Sequence, residues 1–353
     1  MAISIFPIIK ILTITAVSFV IALFSTPILT HFLYKYKLGK GIRDEGTTPI
    51  FTAMHKKKEG TPTMGGILIW AVVIAVAVII SLLAKLLGPN TIFSDYNFLT
   101  RKQTLLPLGV LLFAAIIGLI DDFMGINRMG KTGKGLRMRQ RLIVYTVIAG
   151  VAAYWFYFKL GWDFLHIPFL GNFSIGLWYI PIFIFAIVAS AFSTNETDGL
   201  DGLAGGILLT AFSAYGVICF HQGKIELATL CGAIVGALLA FLWFNINPAR
   251  FFMGDTGSMS LGITLGVIAM LTNTLFFLPL IGFILLIESL SVIIQLASKK
   301  FRHKKIFLSA PIHHHFEARG WPETKVTMRF WIIAGVTTVI GLILFFIDSN
   351  FFK

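Results

Sequence analysis

The sequence predicts an all-α integral membrane protein with ten transmembrane helices. Of its 353 residues, 57% are hydrophobic and 13% are charged, whereas a soluble globular domain carries roughly 25% charged residues. Uncharged runs long enough to cross the hydrocarbon of a bilayer, about 20 residues each, recur along the whole chain. Because these runs leave no stretch for a separate soluble core, we expect a single polytopic membrane domain over residues 1–353.

The apolar runs follow one another in chain order, and short turns separate the later ones. They centre on residues 11–30, 64–84, 105–120, 142–158, 177–194, 203–221, 226–244, 258–274, 276–298 and 330–348. The first run is expected to remain as a span, because no basic segment precedes it and no small-residue cleavage site follows it.

The positions of the cations predict how the helices are oriented. Twenty-two of the 29 Lys and Arg residues lie in the five loops that follow the odd-numbered runs. Cytoplasmic loops carry the excess of Lys and Arg, so both termini are expected outside the cytoplasm. The net charge of +13 then belongs mostly to the inner face, where orientation and anionic lipid explain it without a nucleic acid partner.

The same five loops hold eleven of the sixteen Asp and Glu residues, and these need another explanation because acidic residues do little to set topology. Asp121 and Asp122 directly follow the uncharged run 105–120. At the C-terminal end of a helix the macrodipole disfavours carboxylates. We therefore expect a positive partner, either a basic side chain such as Lys131 or Lys134, or a bound cation.

Two more acidic stretches come just before predicted spans. In NETDGLDGLAGG (195–206), Asp198 and Asp201 could cap the next helix, or the carboxylates and glycines could cradle a phosphate-bearing ligand. In NINPARFFMGDTGSMS (245–260), Asp255 could be a helix cap or a metal ligand, and one phenylalanine could stack on a base. Taken singly, these alternatives stay open.

Two basic stretches lie on the same side. SAPIHHHFEARGW (309–321) holds three consecutive histidines, which in a loop cannot easily converge on one metal but suit phosphate binding or proton handling. The alternative is a surface histidine run without a role. KKKEGTPTMGG (56–66) sets lysines before a turn and a Gly-Gly helix start, a geometry that favours anions, although such lysines can also mark topology alone.

All five polar stretches fall in loops predicted to share one face. Carboxylates, glycine loops and basic side chains together are the components of a Mg²⁺–phosphate site, which we therefore expect on the cytoplasmic face. Within the ninth run, Glu288 is expected either to hydrogen-bond a neighbouring helix or to shape the floor of this site with Gln295.

From KKKEGTPTMGG through IDDF, NETDGLDGL and FMGDTGS to PIHHHFEARGW, the chain resembles the polyprenyl-phosphate N-acetylhexosamine-1-phosphate transferase superfamily. The Thr-Pro-Thr-Met-Gly-Gly stretch and the triple histidine are typical of its muramoyl branch. The resemblance covers essentially the whole chain. The sequence departs from the family pattern at Glu196, where the family is expected to have an apolar residue.

The resemblance implies an Mg²⁺-dependent phosphotransferase of a bacterial cytoplasmic membrane. UDP-N-acetylmuramoyl-pentapeptide would donate its phospho-sugar to undecaprenyl phosphate, which yields lipid I and UMP for peptidoglycan synthesis. The implied partners are these two substrates and the bilayer. Whether the protein forms a homodimer stays open.

The resemblance also implies roles for individual residues. Asp255 is the expected principal Mg²⁺ ligand, and Asp122 supports the metal or its waters. Asp121 is the expected base for the proton of the lipid phosphate, with a covalent aspartyl intermediate as the open alternative. His313 is a further catalytic candidate. Substrate contacts are expected from Lys58, Thr63, Lys134, Asn195, Asp198, Asp201, Asn245, Phe252, Gln295, His314 and His315.

Three other functions compete with this interpretation. A sibling enzyme would move a different N-acetylhexosamine-1-phosphate onto the same lipid, and the triple histidine argues against it. A membrane glycosyltransferase would release UDP rather than UMP. A transporter would place its ionisable residues near the bilayer midplane, whereas this chain concentrates its acids at one face.

Overall fold

The computed structural model describes residues 5–39, 58, 60–101, 103–129 and 135–351, which are mostly helical. Helices satisfy every backbone hydrogen bond internally, which lipid requires. The α-helices are α1 (Ile5–Lys35), α2 (Ile67–Leu87), α3 (Ile92–Tyr96), α4 (Leu105–Ile126), α5 (Met138–Tyr154), α6 (Tyr179–Thr197), α7 (Leu203–His221), α8 (Ile225–Asn245), α9 (Gly254–Leu271), α10 (Leu278–Ile281), α11 (Phe283–Arg302), α12 (Ile312–Ala318) and α13 (Glu323–Phe351).

Within the described residues, nine helical segments are long and apolar enough to cross a membrane, and a bent pair brings the number to ten. The bent pair is the ninth predicted run. Its two parts, Leu275–Ile281 and Phe283–Arg302, meet at an angle of 86°, because Gly282 leaves helical geometry with φ −100° and ψ 35°. The count of ten thus holds only if this broken element is one span.

The prediction of an all-α protein needs one correction. Between α5 and α6, the strands β1 (Phe164–Ile167) and β2 (Gly171–Ser174) form an antiparallel hairpin in which Phe164 pairs with Ser174. Phe169 in the turn and Gly171 at the start of β2 both have positive φ. The hairpin is too short to give a strand pattern that stands out between two long apolar runs.

Helix α9 lies at the centre of the bundle, and all of its residues are buried. It packs against α2, α4, α6 and α7. Small residues let these backbones approach closely, as is common between membrane helices. A Cβ on Gly118 of α4 would lie 2.6 Å from Thr256 Cα, and one on Gly262 would lie 2.9 Å from Ala191 Cα. This packing brings the C-terminal ends of α4 and α6 to the start of α9.

Candidate active site

The aspartate pair at the end of α4 is fully buried, and its two carboxylates face different partners. Asp122 Oδ2 accepts a hydrogen bond of 3.0 Å from the backbone N–H of Thr256, in the first turn of α9. The positive end of a neighbouring helix thus offsets a carboxylate that its own helix disfavours. The sequence predicted the need for positive charge but not this source.

Asp121 is held by a backbone donor and by an arginine. Its Oδ1 accepts from the N–H of Leu136 at 2.6 Å, and its Oδ2 lies 2.8 Å from Arg141 Nε. Lys131 and Lys134, the partners suggested by the sequence, lie outside the described residues. Arg141 is therefore the cation that the structure places beside this carboxylate.

Arg141 also joins Asp121 to the other acidic stretches. Its NH2 lies 3.0 Å from Asp255 Oδ2, and its NH1 donates to Asn195 Oδ1 at 3.0 Å. One guanidinium with five donors can bridge three acceptors in this way. In the sequence, Arg141 counts only toward the excess of cations in one set of loops. Its place directly before an apolar run was the one cue to a further role.

Asp255 lies in the first turn of α9 but does not cap that helix, since the cap position is Met253 and no side chain bonds there. Instead, Asp255 Oδ1 accepts from Asn195 Nδ2 at 2.7 Å. Asp198 Oδ2 accepts from the N–H of Gly254 at 3.1 Å. The start of α9 is therefore surrounded by aspartates from three separate stretches of chain.

Glycine at position 254 makes this arrangement sterically feasible. Gly254 has φ +74°, a left-handed conformation that favours glycine. A Cβ there would lie 2.6 Å from Asp122 Oδ2 and 2.6 Å from Thr63 Oγ1. The glycine of FMGD thus leaves room for the Asp122 carboxylate and the buried Thr63 side chain.

The Thr-Pro-Thr-Met-Gly-Gly stretch pairs with the FMGD stretch through backbone hydrogen bonds. Gly65 N–H donates to Phe252 O and Phe252 N–H donates to Pro62 O, both at 2.8 Å, and Gly66 N–H donates to Met253 O at 2.8 Å. A Cβ on Gly66 would lie 2.5 Å from the backbone nitrogen of Gly257. The Thr-Pro-Thr-Met-Gly-Gly stretch therefore fixes the position of the loop that carries Phe252.

A second ionic cluster lies beside this loop. Lys58 Nζ lies 2.6 Å from Asp201 Oδ1 and also pairs with Glu323. The same ammonium lies 5.7 Å from the ring centroid of Phe252. Asp201 Oδ2 accepts from Asn247 Nδ2 at 2.9 Å. Neither Glu323 nor Asn247 was predicted. Glu323 lies just outside the 309–321 stretch, and Asn247 lies within the 245–260 stretch but was not singled out there.

Asp201 and Asn245 both connect loops rather than cap helices. No side chain caps the start of α7, so Asp201 and Asp198 are not its caps. Asn245 Oδ1 accepts from Gly202 N–H at 3.0 Å, and its Nδ2 donates to Phe251 O at 2.8 Å. The loops after α6 and α8 are thereby held together.

The triple histidine lies in the short helix α12 and not in a loop. His313 is buried, with Nδ1 2.9 Å from Glu288 Oε2 of α11. Its ring packs against Gly199, where a Cβ would lie 2.8 Å from His313 Cε1. Glu288 therefore bonds a neighbouring helix, as one of its two alternatives predicted, and it does so through a histidine of the site.

The other two histidines have different partners. His314 Nδ1 lies 2.7 Å from Glu317 Oε2. His315 Nδ1 accepts from the N–H of Leu308 at 3.2 Å. Burial, and then the neighbouring Arg319, lowers the pKa of His315 below its ordinary value. The unprotonated ring suits this acceptor role.

Gln295 of α11 uses its side-chain amide on the segment before α12. Its Oε1 accepts from the N–H groups of Ile306 and Phe307 at 3.0 Å, and its Nε2 donates to Phe307 O at 2.8 Å. Its contact with a nucleotide stays a prediction. What the structure adds is a role in positioning the histidine helix.

The donor set around α9 fits Mg²⁺ by its chemistry. Among the residues that the structure describes, no three His, Cys, Asp or Glu side chains are arranged to hold a metal by themselves. Mg²⁺ requires less, since it takes one or two carboxylates and completes its shell with water and phosphate oxygens. Asp122 and Asp255 supply such oxygens near the start of α9.

Two models of known protein families match stretches of this chain that contain these residues. The model described as Glycosyl transferase family 4 matches residues 104–273, which include Asp121, Asp122 and Asp255. The model described as Phospho-N-acetylmuramoyl-pentapeptide-transferase signature 1 matches residues 58–69, which include Lys58 and Thr63.

Similarity to individual proteins extends over nearly the full length. The chain is 38% identical over 344 residues to the phospho-N-acetylmuramoyl-pentapeptide-transferase of Chloroflexus aggregans, which covers 94% of this chain and 88% of that protein. It is 41% identical over 331 residues to the protein of the same name from Listeria welshimeri, with 93% and 95% covered. The chain belongs to the phospho-N-acetylmuramoyl-pentapeptide-transferase family.

Proposed function

We propose that this membrane enzyme transfers phospho-N-acetylmuramoyl-pentapeptide from its UDP conjugate to undecaprenyl phosphate, which forms lipid I and UMP. The observation that carries the proposal is the convergence of Asp121, Asp122 and Asp255 at the start of α9, in a chain of this family. Three buried carboxylates at one helix start need cations or cation-bound phosphates, and both substrates carry phosphate.

The chemical step exchanges one phosphorus–oxygen bond for another. An oxygen of the lipid phosphate attacks the sugar-linked phosphorus of the donor diphosphate. The bond from that phosphorus to the bridging oxygen breaks, and UMP leaves with the bridging oxygen. Such a transfer depends mainly on positioning and on charge neutralisation.

Asp255 and Asp122 would hold the Mg²⁺ ion, which neutralises charge on the diphosphate when bound. Asp121 takes the proton of the lipid phosphate. This task is small, because a phosphate monoester with a second pKa near 6 is mostly dianionic at neutral pH. Arg141 supplies a fixed cation at Asp121 and Asp255 and orients Asn195 toward Asp255.

The remaining site residues are proposed to hold the donor. Lys58 and Phe252 offer a cation and an aromatic face for the uridine side, and Asp201 keeps the ammonium in place. Further donor contacts are proposed for the remaining predicted residues, with His313 kept as a catalytic candidate; these are Thr63, Lys134, Asn195, Asp198, Asn245, Gln295, His314 and His315. We place this end of the bundle on the cytoplasmic face, with both termini outside and homodimerisation open.

Replacing Asp255 with Asn tests the metal assignment. The purified protein should release UMP from UDP-N-acetylmuramoyl-pentapeptide when Mg²⁺ and undecaprenyl phosphate are present. The substitution should lower turnover by about a thousandfold, while the folded state persists because Asn keeps the shape of the side chain. Unchanged turnover would show that Asp255 is not the principal metal ligand.

The role of Asp121 is tested by leaving out the lipid. If Asp121 is a base, the enzyme mixed with donor and Mg²⁺ alone should release no UMP. A stoichiometric burst of UMP, with a phospho-sugar adduct on Asp121 by mass spectrometry, would instead establish the covalent alternative. Release of UDP in place of UMP would contradict the proposed reaction class.

A further inference from the structure

A second polar feature lies outside the candidate active site, at the end of the helix bundle where α9 begins. A surface cleft of about 580 Å³ lies between α1 and the end of α8. Its described lining includes His31, Lys35 and Arg250, and it includes neither a carboxylate nor any residue of the site.

Hydrogen bonds to the backbone of Arg250 and a contact between its guanidinium and the Phe244 ring hold the walls of the cleft in place. Tyr34 OH donates to the backbone carbonyl of Arg250 at 2.9 Å. The N–H of Arg250 donates to Phe244 O at 2.9 Å, and its guanidinium lies 5.3 Å from the Phe244 ring centroid. The side chains of Lys35 and Arg250 are exposed, so both remain accessible to a ligand.

The position of the cleft along α1 points to the headgroup layer. Residues 11–30 of α1 are uncharged, and these twenty residues rise about 30 Å, the thickness of the hydrocarbon. His31 and Lys35 follow directly, at the depth of lipid phosphates. On the adjoining face of α1, Phe24 is 74% exposed and Ile28 is 63% exposed, so apolar side chains lead from the cleft into the hydrocarbon.

We propose that this cleft binds an anionic phospholipid of the bilayer, with its phosphodiester on Lys35, Arg250 and His31 and an acyl chain along Phe24 and Ile28. Cationic side chains without a carboxylate in the described lining complement a phosphate. The lipid would tie the end of α1 to the loop that leads into Phe252 and Asp255. It would thereby connect membrane composition to the site.

The test measures lipid binding to the purified full chain by native mass spectrometry with phosphatidylglycerol, phosphatidylcholine and undecaprenyl phosphate. Phosphatidylglycerol should bind more tightly than phosphatidylcholine. K35Q and R250Q should each weaken phosphatidylglycerol binding about fivefold, which corresponds to one cation near a lipid phosphate. K300Q, an exposed lysine at the end of α11, is the matched control and should bind like the unmodified protein.

Three outcomes would overturn the proposal. Equal affinity for phosphatidylglycerol and phosphatidylcholine would show that the phosphate charge is not recognised. An equal loss in K300Q would show unspecific attraction to the basic face. Undecaprenyl phosphate binding that falls in K35Q and R250Q and competes with phosphatidylglycerol would assign the cleft to the substrate lipid. UMP release is a separate readout, so failure here leaves the proposed reaction untouched.

Discussion

The two ends of helix α9 use buried charge in different ways. At its start, Asp122 and Asp255 lie with Asp121 around one bridging arginine, Arg141. At the other end, about 27 Å away along the helix axis, the last helix meets the hairpin through a hydrogen-bonded contact in which His166 Nε2 lies 2.6 Å from Asp348 Oδ2.

The contacts at the hairpin end are local. Asp348 also accepts from the N–H of Phe169 at 2.6 Å. Nearby, Lys224 Nζ donates to Leu271 O at 2.7 Å, and burial lowers the pKa of this lysine. Each of these charges meets hydrogen-bonding partners, and the contacts of Asp348 clamp the hairpin to the last helix.

The start of α9 is different because carboxylates gather there from α4, the α6 loop and α9 itself. Among the described residues, the cation that touches two of these carboxylates is Arg141. Concentrating like charges at a buried position costs stability, which a structural clamp would avoid. The contrast supports the proposal that the start of α9 binds Mg²⁺ and phosphate, while the contacts at the other end hold the hairpin in place.

Removing Arg141 should produce the largest effect. R141A leaves Asp121 buried without its guanidinium, which should destabilise the fold by about 3 kcal/mol and lower turnover about a hundredfold or more. R139A, an exposed neighbour on the same helix, is the control. Thermal unfolding and UMP release measure the two effects; a variant with normal stability and turnover would show that the bridge is dispensable.

Filling the contact between α4 and α9 should come next. G118A would place a methyl group 2.6 Å from Thr256 Cα, and such overpacking costs about 1 to 3 kcal/mol. The shift should separate Asp122 from the Thr256 N–H and lower turnover as well. G109A on the same helix meets nothing within 4 Å and should be neutral or slightly stabilising. If G118A and G109A had the same stability and the same turnover, the close contact between α4 and α9 at Gly118 would be contradicted.

Breaking the clamp at the hairpin end should affect stability alone. D348A removes the acceptor of His166 and of the Phe169 N–H, at a cost of about 2 kcal/mol. Below the unfolding temperature, UMP release should stay within about twofold of the unmodified protein. A large loss of turnover in the folded D348A protein would refute the division of roles between the two ends.

The smallest expected effect concerns pH. Because the folded pKa of His315 is lowered, the unfolded chain binds more protons as pH falls below the ordinary value near 6.5. Stability should therefore decrease as pH falls from about 6.5 toward 5 and level off above that range. H315Q should flatten this decline, measured by thermal unfolding across pH, and R319Q should weaken it. An unchanged slope in H315Q would assign the pH dependence to other groups.

Parts of this comparison were predictable from the sequence and others were not. Asp121, Asp122 and Asp255 stood out because acidic residues in loops beside apolar runs have no role in topology. Arg141 and Glu323 did not stand out, because a cation or acid beside an apolar run is ordinary. The bend at Gly282 and the short hairpin were also missed, since both lie within or between long apolar stretches.

The sequence by itself determined the membrane fold class and nearly all of the spans. It also showed that acidic residues concentrate in the loops after the odd-numbered runs. These features depend only on local hydrophobicity and on the positions of charged residues. Only the tertiary structure decided which groups meet. Asp122 contacts a backbone N–H 134 positions away, and glycine surfaces on packed helices bring them together. Such contacts depend on the fit between distant faces, which no local pattern records.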